Sequence, residues 1–247
     1  MATAGGITLW SYEISRRSKP LGVKIREGEF STPQAAKLAG EEALRELNLD
    51  PTLRYVVYTG KLLMPEVKLM LDAAEFLANM MPNARVLFAG GNPAVLAECN
   101  AEVARRKLKN VQFAGFVPPA RIALYQKAAD VLMLYLVSDR EIINYITPSK
   151  VFDYLQAGRP IVVSDYPILH EILQHNRNGL LVKPHDPLGL AAEIARVLSE
   201  PELAARLSKA AETDSRLYSW EYRTKSIWEF MNRIAYEDRD NSRDRSK

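Results

Sequence analysis

The sequence predicts an α/β domain built on a doubly wound parallel sheet of Rossmann-like type. Three observations carry that expectation. Short β-rich runs alternate with helical segments along most of the chain, the pattern of a parallel sheet covered on both faces. Several of these runs stop at a glycine, where a chain can turn sharply. One run, Asp130-Val131-Leu132-Met133-Leu134-Tyr135, is almost wholly apolar, as a central parallel strand buried on both faces should be.

The elements follow in order. The first thirty residues are weakly patterned and suit a connector, which with the next helix makes up residues 1–50. From Pro33 to Leu47 the Ala, Leu, Glu and Lys content favours that helix, and Asn48, Asp50 and Pro51 end it. Tyr55-Val56-Val57-Tyr58 is a first strand, stopped by Gly60. Val67 to Met80 is helical, with Val67, Met70, Leu71, Ala74 and Leu77 on one face. Arg85 to Ala89 is a strand broken by Gly90-Gly91, and Pro93 to Arg106 a helix. Asn110 to Ala114 is a strand stopped by Gly115. Pro119 to Ala128 is a helix with Ile122, Leu124 and Tyr125 towards the core. After the apolar run come a helix from Thr147 to Ala157, a strand from Pro160 to Ser164, a short helix from Ile168 to Leu173 and a strand at Leu180-Leu181-Val182. Helices follow from Pro187, so the main domain spans 51–235. Its closing helix carries Trp220, Ile227, Trp228, Phe230 and Met231, which either fold back on the domain or leave a face for a homodimer. Residues 236–247 hold almost no apolar side chain and are expected to be a disordered tail.

Composition excludes several classes. Charges of both signs are interspersed and the net charge is only +3, so no basic block points to nucleic acid. One cysteine, Cys99, excludes an internal disulfide and suits a reducing compartment. With three histidines at no ligand-like spacing, no metal site is expected. No apolar stretch approaches the roughly 18 residues of a membrane span. The expected place is the cytoplasm.

Ligands of such sheets bind beyond the carboxyl ends of the strands. The loops at Gly60, Gly90, Gly115, Leu136 and Ser164 are therefore the candidates. Thr147-Pro148-Ser149-Lys150 starts a helix there, with Thr as cap and Pro at the first helical position. Free N–H groups at a helix start attract anions, phosphate above all. Ser149 adds a hydroxyl and Lys150 a charge. Asp153 follows Ser149 by four residues and Lys150 by three, so the three share a face. Val151, Phe152 and Leu155 are left to pack on the sheet. Phosphate donors followed one turn later by a carboxylate would suit a nucleoside diphosphate, the carboxylate accepting from ribose hydroxyls. Such helix starts are also common where no ligand binds, and Lys150 with Asp153 also reads as an ordinary surface pair.

The run TPSKVFDYLQAGRPIVVSD resembles the donor-site segment of the retaining family-4 glycosyltransferases of the two-domain GT-B architecture. YVVYTGKL, ARVLFAGGNP, NVQFAGFVPPARIALYQKAADVLMLY, NRNGLLVKPHDPLGLAAEIARVLSEPELAARL and YSWEYRTKSIWEF resemble further landmarks of that family in the same order, from Tyr55 to Met231. The resemblance implies a C-terminal, donor-binding domain and glycosyl transfer from a nucleoside diphosphate sugar with retention. It implies that Ser149 and Lys150 meet the diphosphate and Asp153 the ribose. It sets Gly60 and Gly90 near the nucleotide and Phe116 and Val117 in the loop that contacts the base. Lys61, where the family often has Arg, would with Lys150 stabilise the leaving diphosphate. No cofactor and no metal are implied. The acceptor, a glycan or a lipid-linked sugar, would be bound by an N-terminal domain of roughly 150–200 residues that this chain lacks, with polysaccharide synthesis a typical context.

The chain departs from the family in three respects. Tyr145 stands where the first residue of the family's Glu-x7-Glu pair belongs, with Glu141 nearby as a candidate for the donor sugar. Pro65-Glu66 aligns with the family's Lys-Gly, and Lys68 lies a turn further on, towards solvent. On the resemblance, the acceptor half is expected to lie outside this chain. Two other readings therefore stand beside transferase: a non-catalytic nucleotide-sugar-binding module and an α/β interaction domain without a nucleotide site. His170, His175 and His185 suit surface positions, and Cys99 suits packing.

Overall fold

A computed structural model describes residues 33–137 and 145–244. Six strands form one sheet in the order β3-β2-β1-β4-β5-β6. They are β1 (Arg54–Thr59), β2 (Ala84–Ala89), β3 (Val111–Gly115), β4 (Val131–Leu134), β5 (Ile161–Ser164) and β6 (Leu180–Val182). Every pairing is parallel. The doubly wound sheet the alternation predicts is therefore present. Strand order reverses between β1 and β4, where Val56 is in register with Val131. Parallel strands need crossovers, and right-handed crossovers taken to both sides produce this order.

Eight α-helices are described: α1 (Pro33–Glu46), α2 (Met64–Met80), α3 (Pro93–Arg106), α4 (Pro119–Ala128), α5 (Lys150–Ala157), α6 (Pro187–Ser199), α7 (Pro201–Ser215) and α8 (Trp220–Asp244). α2 packs with α3 and α6 on one side of the sheet, while α1, α4, α5 and α7 pack in succession on the other. All four residues of β4 and of β5 are buried, because helices cover both of their faces. The edge strand β3 instead alternates between half-buried and exposed positions.

The helix expected from Pro33 to Leu47 is present as α1, which lies on α4 and buries Ala43; residues 1–32 lie outside the described residues. Three expectations are corrected. The helix expected from Thr147 begins as an α-helix at Lys150. A tight first turn delays it, with Val151 N–H bonding to the Pro148 carbonyl and Phe152 N–H to that of Ser149, both at 3.1 Å. Its packing face also differs. Val151, Tyr154 and Leu155 are buried, while Phe152 is half-buried and lies 5.2 Å from the Tyr218 ring, centroid to centroid. Finally, helix continues to Asp244, through most of the expected disordered tail. No glycine or proline follows Pro201, so nothing in the sequence breaks it. That helix does not fold back: Trp220 is 78 % exposed, Ile227 51 %, Trp228 53 % and Met231 57 %.

Candidate functional site

The carboxyl ends of β1, β2 and β4 meet the start of α5 at the point where strand order reverses. Two glycines let the chain come close there. Gly60 ends β1 with φ +120°, and Gly90 ends β2 with φ +144°. A Cβ on Gly90 would lie 2.0 Å from the Gly60 carbonyl oxygen, and one on Gly60 would lie 2.4 Å from Cε of Lys150. Only a residue without a side chain permits both approaches. Gly60 N–H also bonds to the Ala89 carbonyl at 2.8 Å, which joins the two strand ends.

Lys150 does not turn along the helix towards Asp153. Its Nζ donates to the Tyr58 hydroxyl at 2.7 Å and sits 4.5 Å from the Tyr58 ring centroid. The same hydroxyl donates to the Lys61 carbonyl at 2.7 Å. Burial lowers the pKa of Lys150 from its ordinary value, and the carboxylate of Glu66 opposes that shift. Glu66, in the first turn of α2, is only 9 % exposed. Burial raises its carboxyl above the usual range, while the Lys150 ammonium and the Val137 N–H pull it back down. Burial thus works against the charged form of both groups, and each opposes that effect on the other. Tyr58 is raised chiefly by burial, and Glu66 adds to the shift.

Tyr154 anchors the helix. Its hydroxyl accepts from Thr59 N–H at 3.0 Å and donates to the Met133 carbonyl at 3.4 Å, fully buried between β1 and β4. Burial pushes its pKa up to about 12, so it stays a neutral hydrogen-bonding group. Thr59 Oγ1 also meets Gln126 Nε2 at 3.4 Å. Beyond β4, Ser164 Oγ accepts from Leu136 N–H at 2.8 Å and donates to its carbonyl at 2.9 Å, fastening the ends of β4 and β5 together.

Gly60, Gly90 and Lys150 are thus brought together. Ser149 is exposed at the start of the same helix. Lys61 follows Gly60 with an exposed side chain. Asp153 lies further along α5 on its exposed side, and partial desolvation raises its carboxyl. Phe116 and Val117 follow the outermost strand, two strands away from β1. Phe116 is 74 % exposed and Val117 is buried, so Phe116 alone offers a free ring there. Glu141 lies outside the described residues, and Tyr145 is exposed. Lys68 is exposed as expected and Cys99 is buried. Among the described residues no cluster of His, Cys, Asp or Glu is placed to hold a metal ion, and no helix is long and apolar enough to cross a membrane.

Three groups at this site escape sequence reasoning. Tyr58 looks like any β-strand aromatic. Glu66 looks like an ordinary acidic residue in a first helical turn. Tyr154 takes the buried place that the sequence reading gives to Phe152. Near β6, His170 pairs with Asp165 at 2.5 Å beside a shallow cavity of about 350 Å³ that His175 and Gln174 also line. Both histidines are exposed, as expected of surface positions.

The family model for group 1 glycosyl transferases matches residues 40–214. D-inositol 3-phosphate glycosyltransferase of Thermobispora bispora is 27 % identical over 192 residues, covering 72 % of this chain and 42 % of the relative. The chain spans less than half the length of the curated relatives it matches. Among solved structures, Anabaena Alr3699/HepE in complex with UDP superposes with a TM-score of 0.67 at 17 % identity, over 82 % of this chain and 53 % of that one. The C-terminal domain of the group 1 family protein LpcC from Francisella tularensis superposes with a TM-score of 0.57 at 13 % identity, over 70 % of this chain and 89 % of that one.

Proposed function

Because the chain belongs to the group 1 glycosyl transferases, we propose that it is the donor-binding half of a retaining, family-4 type enzyme that takes a hexosyl group from a nucleoside diphosphate sugar. The observation that supports this reading most is the position of Lys150. Its ammonium stands beside the unhindered backbone of Gly60, at the switch point of the sheet and at the start of a helix. That combination suits a diphosphate: a helix start and a desolvated cation both favour an anion. The HepE structure holds UDP on the same fold, and the LpcC structure is itself a C-terminal domain.

In this reading Lys150, Lys61 and the first N–H groups of α5 neutralise the leaving diphosphate, without a cofactor or a metal ion. Ser149 adds a hydrogen bond to phosphate. Asp153 orients the ribose, Phe116 offers its ring to the base, and Glu141 is assigned to the sugar. The acceptor, a glycan or lipid-linked sugar, binds a separate domain, and the protein works on the cytoplasmic side of the membrane its acceptor lies in. The exposed apolar row of α8 is the surface such a domain, or a second copy of the chain, would cover.

A thermal-shift screen with UDP, GDP and ADP tests the reading. One nucleotide should raise the unfolding midpoint, and Lys150→Ala should abolish the rise. No rise with any of them, or a rise that survives Lys150→Ala, would refute it. A second reading, donor binding without transfer, is favoured by Glu66, which opposes the charge of Lys150 where the reaction needs positive charge. It predicts that nucleotide binds but no sugar moves when an acceptor domain is supplied.

A further inference from the structure

Tyr58 belongs to β1, yet its hydroxyl sets groups from two other segments. It accepts from the Lys150 ammonium of α5 at 2.7 Å and donates to the Lys61 carbonyl, in the turn after Gly60, at 2.7 Å. Its one proton is committed to that carbonyl, so only its lone pairs face Lys150. The same ammonium rests on the face of the ring, 4.5 Å from the centroid. The ring has little freedom of its own. It is buried and lies 5.9 Å from the Phe88 ring in β2, which stacks on Phe113 of β3 at 4.9 Å. Burial keeps the phenol protonated, so the group that touches Lys150 is neutral and does not offset its charge. Tyr58 thus places both cations that the donor-site reading gives to the diphosphate, Lys150 by its ammonium and Lys61 by its backbone.

We propose that Tyr58 is a positioning residue of the donor site, whose hydroxyl and ring keep the Lys150 ammonium in one place before and after a nucleoside diphosphate binds. This rests on the donor-site reading above. Tyr58 acts through Lys150 and does not meet the ligand itself, since it is buried and its proton is taken. An ammonium carries three N–H donors, and those not spent on Tyr58 remain for phosphate oxygens. A lysine on its flexible stem loses rotamer freedom when it is fixed. Here that loss falls on folding, so the arriving diphosphate meets an ordered cation. Contacts to base and ribose owe nothing to this arrangement. Removal of the hydroxyl should therefore weaken recognition of the diphosphate and leave recognition of the nucleoside as it was.

The test is isothermal titration calorimetry of UDP, GDP, ADP and their nucleosides with the whole chain, on wild type, Tyr58→Phe and Lys150→Ala. Nucleosides, as weak ligands, are measured by their displacement of the bound diphosphate. Phenylalanine keeps the ring and removes only the hydroxyl. Tyr58→Phe should weaken the diphosphate about tenfold and change the nucleoside by less than about twofold. A tyrosine with a merely structural role would weaken both by the same factor. That result, or no change in either, overturns the positioning role while binding that Lys150→Ala abolishes keeps the donor-site reading. A second measurement needs no variant of Tyr58. In protein labelled with 13C-lysine, the Cε signal of Lys150 is the one missing from Lys150→Ala. The Tyr58 ring beneath the ammonium should move its protons upfield, and the displacement should persist when the diphosphate is bound. Its loss on binding would mean that Lys150 leaves Tyr58, which overturns the proposal even should Tyr58→Phe fail to fold. Failure of all three diphosphates to bind wild type overturns the donor-site reading, and the positioning role with it.

Discussion

Gly90→Ala tests the close approach of the two turns that frame the site. The new methyl would lie 2.0 Å from the Gly60 carbonyl oxygen and 2.8 Å from its carbon. Both atoms are backbone, held by the Gly60–Ala89 hydrogen bond, so neither can swing aside as a side chain would. The ends of β1 and β2 would have to separate by more than an ångström. The φ of +144° adds strain of about 1–3 kcal/mol for a residue with a Cβ, and forcing the methyl in adds about 1–3 kcal/mol more. A loss of about 2–6 kcal/mol is a large part of the roughly 5–15 kcal/mol that holds a domain together. Equilibrium urea unfolding followed by circular dichroism measures it through the midpoint, provided the slope is unchanged. A loss below about 1 kcal/mol would mean that the strand ends part freely and that the packing argument is wrong.

Three further outcomes follow from the same region. Gly60→Ala places its methyl against Cε and Nζ of Lys150, a flexible side-chain end, so the lysine is displaced. Titration with the nucleotide found by the thermal screen should show a proportionally larger loss of affinity than of stability, and an unchanged affinity would contradict the role of Lys150. Tyr154→Phe leaves the buried Thr59 N–H without its acceptor and should cost about 1–3 kcal/mol in urea unfolding; no loss would show that the hydroxyl is dispensable. Glu66→Gln should change the pH dependence of stability. A glutamate raised by burial contributes stability that is fully present below its ordinary value and lost as pH rises through its folded value. The glutamine variant should therefore be the more stable protein at neutral pH, with the difference closing as pH falls to the ordinary glutamate range. A wild type more stable than the variant at neutral pH would contradict the burial argument.

The sheet was legible because periodicity and glycine stops report backbone directly. Tyr55–Tyr58, Arg85–Ala89 and the apolar run before Tyr135 all became strands within a residue or two of where their composition places them. Ends of helices were less legible. The turn at Pro148 is decided by which carbonyls the first N–H groups reach, and residue identity does not show that. Lys150 stands out in the sequence as a candidate from its place at a helix start, but its hydrogen-bond partner does not. Tyr58 meets it only because β1 ends beside the start of α5, which is a property of strand order and not of any local motif. The helical tail past Tyr236 shows the converse. Low apolar content predicted disorder, yet a chain without breakers can extend a helix already started by Trp220.

The buried hydroxyl of Tyr154 has a kinetic consequence. It ties α5 to β1 through Thr59 and to β4 through Met133, so the helix cannot shift against the switch point without breaking both links. Lys150, rooted one turn earlier on that helix, is already ordered before any ligand arrives. A partner that meets ordered groups loses less conformational freedom on association. Discrimination between nucleotides should then show in how long each stays bound, with similar rates of arrival for all.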